Sequence, residues 1–161
     1  MVEEVSDFGN PLESASLKWQ FDHLGLVARS LAKGRRGIGE ALGISHWTEE
    51  IEDPVNGVRL QFGRDRAGVV YELLEPLDAT SPVYPALASG RAILNHVAYL
   101  VPNLGGAAEI LRSGGAGPTS EPKPAIAYGG ARIQFFITSV RMIVELIEAP
   151  GHQHHFSVPT R

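Results

Sequence analysis

The chain has 161 residues, 43% of them hydrophobic and 20% charged, with a formal net charge of −4. That make-up suits one ordinary globular domain or two half-domains sharing a core, and its acidic balance gives no reason to expect nucleic acid or an anionic membrane as partner. Zero cysteines exclude a disulfide scaffold, a thiolate nucleophile and thiolate metal ligation, so any metal here is held by nitrogen and oxygen, which fits a cytoplasmic protein. No apolar run reaches the length of a membrane span, and the acidic start Met1-Val2-Glu3-Glu4 is unlike a signal peptide.

Residues 1–19 mix charge, proline and small side chains without a clear period and read as an N-terminal arm that packs late or stays mobile. Phe21 to Val27 is strand-like, and Ser30 is a fair N-cap for a helix over 31–42. That helix carries Lys33, Arg35 and Arg36 on its outer face and stops at Gly43. Residues 46–52 alternate as a strand, and Asp53-Pro54-Val55-Asn56-Gly57 is a turn whose Asn-Gly pair favours a hairpin. Strands over 58–62 and 69–74 follow, so the first unit reads βαβββ. A linker over 76–90 holds a short helix near 83–88. The order then returns: a strand over 94–101, a helix over 104–113, a weak strand, and strands over 131–138 and 142–148. Residues 151–161 form a tail with His152, His154 and His155, read as solvated, with metal binding as the alternative.

The second half is a copy of the first. Asp22-His23-Leu24-Gly25-Leu26 returns 73 residues later as Asn95-His96-Val97-Ala98-Tyr99. Tyr71-Glu72-Leu73-Leu74-Glu75 returns at the same offset as Val144-Glu145-Leu146-Ile147-Glu148, and Gly57-Val58-Arg59-Leu60-Gln61-Phe62 as Gly130-Ala131-Arg132-Ile133-Gln134-Phe135. One unit is written twice, about 20–77 and about 93–150, within a single domain over 20–150. A half of about 55 residues would be only marginally stable alone, so the halves are expected to share a core.

Strand side chains alternate faces, which puts His23 on one face with Phe21 and Gly25. Glu72 and Glu145 stand inside apolar strands, where an uncompensated carboxylate is costly to bury. A divalent metal compensates both, and neutral imidazoles suit the remaining positions. His23, Glu72, His96 and Glu145 are therefore the expected metal ligands. Glu75 and Glu148 recur at strand ends and read as surface residues. Arg59, Gln61, Arg132 and Gln134 recur on alternate strand positions, either as substrate contacts lining a cavity or as the solvent face of the sheet.

With these motifs the chain resembles the vicinal oxygen chelate (glyoxalase/bleomycin resistance/dioxygenase) superfamily over about residues 20–150, and within it the methylmalonyl-CoA epimerases. The resemblance implies an α+β fold in which two tandem βαβββ modules form a cup-shaped mixed β-sheet with helices outside. It also implies one divalent metal ion (Co, Ni, Mn, Fe or Zn), a small-molecule substrate such as an acyl-CoA, and a homodimer. The activity it implies is epimerisation through a metal-stabilised enolate, with Glu145 and then Glu72 as the proton-transferring bases. Two departures stand beside it. Where the epimerases carry a glutamate on the third strand, this chain has Val58-Arg59-Leu60-Gln61, without an acid. The His, Glu, His, Glu ligand set is also similar to that of bacterial glyoxalase I, so a lyase of that type is the alternative enzyme. A non-catalytic small-molecule binding protein of the same fold is the alternative outside catalysis.

Overall fold

The computed structural model describes residues 18–90 and 94–157. Most of the expected N-terminal arm and residues 158–161 of the tail lie outside them. Strands and helices follow in the order β1 (Gln20–Val27), α1 (Leu31–Leu42), β2 (His46–Trp47), β3 (Ile51–Asp53), β4 (Val58–Arg64), β5 (Val70–Pro76) and α2 (Tyr84–Ser89). The second half adds β6 (Leu94–Leu100), α3 (Leu104–Ser113), β7 (Gly117–Pro118), β8 (Lys123–Ala125), β9 (Ala131–Ile137) and β10 (Ile143–Ile147). The fold is α+β.

All ten strands belong to one open mixed sheet, ordered β2-β4-β5-β1-β6-β10-β9-β7, with β3 beside β4 and β8 beside β9. Its two halves mirror each other. β1 runs parallel to β5 as β6 does to β10, and β4–β5 and β9–β10 are antiparallel. The modules meet where β1 pairs antiparallel with β6. Residues 46–52 are not one strand: Thr48 leaves the ladder between β2 and β3 and bonds Phe62 through both its N–H and its hydroxyl. The Asn56-Gly57 turn does join β3 to β4, with Gly57 at φ 69°.

The helices begin alike. Ser30 Oγ accepts from the Lys33 N–H at 3.3 Å, and Asn103 Oδ1 from the Gly106 N–H at 2.7 Å, each cap being worth about 1 kcal/mol. A second cap, a carboxylate, then arrives from the end of the strand that closes each module. Glu75 accepts from the Leu31 N–H at 2.8 Å and Glu148 from the Leu104 N–H at 2.9 Å, satisfying helix donors that have no partner within the helix. Glu75 and Glu148 are thus helix caps rather than free surface residues. At its other end α1 stops at Gly43, whose left-handed φ of 68° suits glycine.

Two apolar layers sandwich the sheet. On one side Val58, Leu60, Phe62 and Leu74 of the first module meet Ala98, Leu100, Ile133 and Ile147 of the second, so neither half has a complete inner core of its own. Beneath α3, Leu104, Ala107 and Ala108 pack on Phe136, Val144 and Leu146. Each buried leucine or phenylalanine here stabilises by roughly 1.5–3 kcal/mol.

Candidate metal centre

The four expected ligands come from the four central strands, one each: Glu72 from β5, His23 from β1, His96 from β6 and Glu145 from β10. The β1–β6 register explains how two histidines meet on facing strands. His23 opposes Ala98 and Gly25 opposes His96, so each imidazole lies over a small residue. At Gly25 the fit is absolute, because an added Cβ would lie 2.1 Å from the His96 ring.

Strict alternation fails where the β1–β6 register shifts, between Phe21 and His23 and again between Gly25 and Leu26. A β-bulge between Phe21 and His23 leaves Asp22 out of register. The Phe21 ring accordingly turns to Tyr99, 6.3 Å between centroids, and does not share the face of His23. The extra residue lets Asp22 and His23 stand side by side, with His23 Nδ1 2.8 Å from Asp22 Oδ2. In β6 the equivalent nitrogen, His96 Nδ1, lies 2.9 Å from Asn95 Oδ1. An oxygen acceptor on each Nδ1 fixes the tautomer that leaves Nε2 free to bind a metal.

Both Nε2 atoms point into the cluster. They lie 3.0 Å apart, and each is 3.2–3.4 Å from Glu72 Oε2 and Glu145 Oε2. All four side chains are buried. Neighbouring ligands about 2.1 Å from a six-coordinate ion stand about 3.0 Å apart, and those around a four-coordinate ion somewhat farther. The observed spacings match a set of donors round a single ion, and imidazole nitrogen with carboxylate oxygen is chemistry that divalent transition metals accept.

The charges point the same way. Burial would lower the basicity of His23, but the Glu72 charge and hydrogen bonds to Asp22, Glu145 and Glu72 raise its pKa well above the ordinary histidine value. His96 is lowered by burial and raised more by its bonds to Glu145 and Glu72. Burial pushes Glu72 up, yet the His23 charge and bonds to both histidines hold it at about 2. Two buried carboxylates thus demand two positive charges, which two imidazoliums or one divalent ion supply.

Above the cluster lies a cavity of about 180 Å³. Its walls are Val58, Leu60 and Leu74 from one module and Ile133, Phe135 and Ile143 from the other, with Lys123 as its lysine. Leu60, in the acid-free stretch Val58-Arg59-Leu60-Gln61, is an apolar wall residue buried to 5% exposure.

A family model described as the Glyoxalase/Bleomycin resistance protein/Dioxygenase superfamily matches residues 22–135. The chain belongs to that superfamily. It is 30% identical over 140 residues, 84% of its length, to the Bacillus subtilis protein YqjC, itself described as uncharacterized, and covers 96% of that protein. Among solved structures it resembles methylmalonyl-CoA epimerase from Mycobacterium tuberculosis, with a TM-score of 0.66, 22% identity and coverage of 79% of this chain and 85% of that one. It also resembles a Streptomyces coelicolor methylmalonyl-CoA epimerase variant in complex with 2-nitronate-propionyl-CoA, with a TM-score of 0.65, 21% identity and coverage of 80% and 95%. At these identities the likeness is one of fold. Within this superfamily chain, no described helix is long and apolar enough to cross a membrane.

The four residues named as alternative substrate contacts go elsewhere. Arg59 and Arg132 lie away from the cavity and pair with the helix-capping carboxylates, Arg59 with Glu75 at 3.3 Å and Arg132 with Glu148 at 2.7 Å. Gln61 donates to the Thr48 carbonyl at 2.7 Å, and Gln134 to the Ser120 carbonyl at 3.0 Å. None of the four lines this cavity, whose walls come from their strand neighbours Val58, Leu60, Ile133 and Phe135. Nor are all three helix basics outward-facing, because Arg35 turns back to Gln61 at 3.0 Å and Glu50 at 3.3 Å.

The tail is not solvated throughout. His154 donates from Nε2 to Asp22, 3.0 Å from Oδ2, and its side chain is only 7% exposed, whereas His155 is exposed. Three residues around the cluster went unnoticed in the sequence: Asp22, Asn95 and Tyr128, whose hydroxyl donates to Asp22 at 2.6 Å. The first two carried a signal, as the residue before each repeated histidine. Tyr128 carried none. Its burial and the surrounding charges of Asp22, Glu145 and Glu72 raise its pKa well above 10, which keeps the hydroxyl a donor.

Proposed function

We propose that this chain is a divalent-metal-dependent isomerase of the epimerase type, similar in action to methylmalonyl-CoA epimerase, which moves a proton on the carbon next to a carbonyl group. The observation that carries the reading is the pair of buried carboxylates, Glu72 and Glu145, set on β5 and β10 either side of two histidines, with all four donor atoms within 4.8 Å of one another. His23, Glu72, His96 and Glu145 would hold an ion such as Co, Ni, Mn, Fe or Zn. When bound, that ion supplies Lewis-acid stabilisation of the charge developing on a carbonyl oxygen.

The remaining work falls to the chain's own groups. Three acidic residues line the cavity: Asp53, Glu72 and Glu145. Both oxygens of Asp53 are occupied, by the N–H groups of Val55, Asn56 and Ile126 and the side-chain amide of Asn56, which leaves Glu72 and Glu145 as bases. Glu145 accepts the proton as the C–H bond breaks and its electron pair moves toward the carbonyl oxygen. Glu72, on the other flank, takes up a proton from solvent and delivers it to the opposite face, inverting the centre, and Glu145 releases the proton it accepted to solvent. The apolar walls exclude water, which strengthens the electrostatics of both transfers.

The cavity also favours a substrate class. At about 180 Å³ it exceeds the roughly 150 Å³ that accommodates a benzene ring, so it admits a short acyl group with its charged end toward Lys123. An acyl-CoA with its carrier outside the mouth fits that description, and a homodimer belongs to the same reading. The test is incubation with methylmalonyl-CoA in deuterated water. Solvent deuterium at the α-carbon, lost in Glu145→Gln, is the expected result. No exchange, together with turnover of a glutathione thiohemiacetal, would replace epimerase by lyase. Tight ligand binding indifferent to chelator, without turnover, would replace both by a binding protein.

A further inference from the structure

The C-terminal segment ends beside the metal cluster, and the proposed reaction makes no use of it. From the end of β10 the chain crosses to the first module, where Ser157 bonds the Trp47 carbonyl through its N–H at 2.9 Å and its hydroxyl at 2.8 Å. Arg64 covers the Phe156 ring at 4.1 Å. Between these anchors and β10, His154 is pressed onto Phe62, with ring centroids 4.0 Å apart. Phe62 in turn meets the His23 ring edge to face at 5.3 Å.

His154 also reaches His23 by a polar route. Asp22 Oδ2 accepts from Tyr128 Oη at 2.6 Å and from His154 Nε2 at 3.0 Å, and it is the partner of His23 Nδ1 at 2.8 Å. A carboxylate held by His23 alone can pivot, whereas one held by three donors from three parts of the chain cannot. The carboxylate orients the imidazole, and outer partners of this kind set how well a ligand binds its metal.

We propose that His154 is a positioning residue for the metal centre: the segment 151–157 is a strap that clamps Asp22 and, through it, aims His23. The inference rests on the metal reading above and adds to it that affinity depends on the C-terminal segment. The substitution His154→Phe keeps the packing on Phe62 and removes the donor, while His154→Gln keeps a donor. Metal-free protein is titrated with Co(II) against a chromophoric chelator, with the visible Co(II) spectrum and the urea midpoint recorded for each form.

His154→Phe is expected to lose about 10–100-fold in Co(II) affinity and to change the spectrum, while His154→Gln stays near wild type. Equal affinity and an unchanged spectrum in His154→Phe would overturn the inference while leaving the metal reading intact. If His154→Phe does not fold, a folded His154→Gln with the same weakened affinity expected of the donor-less variant would overturn it instead. A wild-type chain that binds no Co(II) would overturn the metal reading and this inference together.

Discussion

In the first module the outer nitrogen of the clustered histidine meets a carboxylate, Asp22, at 2.8 Å, whereas in the second it meets the neutral amide oxygen of Asn95 at 2.9 Å. Asp22 is in turn gripped by Tyr128 and His154. The inner sides of the two modules are matched, with a histidine and a glutamate each, so the duplication preserved that pair while its surroundings diverged. A carboxylate behind an imidazole makes it a stronger donor than an amide does. The two halves of the site are therefore chemically distinct.

The largest difference between the modules is steric. Gly25→Ala drives a Cβ into the His96 ring and is expected to destabilise by about 3 kcal/mol or more, whereas Ala98→Gly at the equivalent position costs about 1 kcal/mol. Urea denaturation of both variants checks this, and equal losses would break the comparison. Next in size is the exchange of the outer partners. Asp22→Asn is expected to weaken metal binding about 10–100-fold and Asn95→Asp to tighten it, read by competition with a chelator of known affinity.

A smaller effect tests where the modules agree. Glu75→Gln and Glu148→Gln each weaken the cap on one helix, and each is expected to lower stability by about 1 kcal/mol with metal content unchanged. Smallest is the acid dependence of Glu148. The hydrogen bond from the Leu104 N–H, with that from Arg132, lowers its pKa below the ordinary carboxylate value. Its stabilisation is therefore present above the unfolded-state pKa and is lost as pH falls through the lowered folded value. Glu148→Gln should thus shed a little of the wild type's acid destabilisation in a urea series run from pH 6 down to pH 3.

The repeat made much of this legible. Candidate ligands separated by one constant offset fall on equivalent strands, and Ser30 with Gly43 bounded α1 to the residue. Alternation gave the two faces of β4 and β9 but not which face was concave, so Arg59 and Gln61 were as eligible for the cavity as Leu60. The capping partnership of Arg59 with Glu75 depends on α1 arriving at the end of β5, a tertiary fact. The bulge at Asp22 inserts one unpaired residue without any glycine to mark it. His154 meets Asp22 across 132 residues, and nothing local to a histidine-rich tail distinguishes a docked ring from a solvated one.

The central claim is a metal centre built from both modules, and the bound metal content of the purified chain tests it most directly. Protein stripped with chelator, reloaded with Co(II) or Zn(II) and desalted should carry one divalent ion per chain, with His23→Ala and Glu145→Gln each reduced to background while remaining folded. Wild type without bound metal, or variants that retain as much metal as wild type, would contradict it.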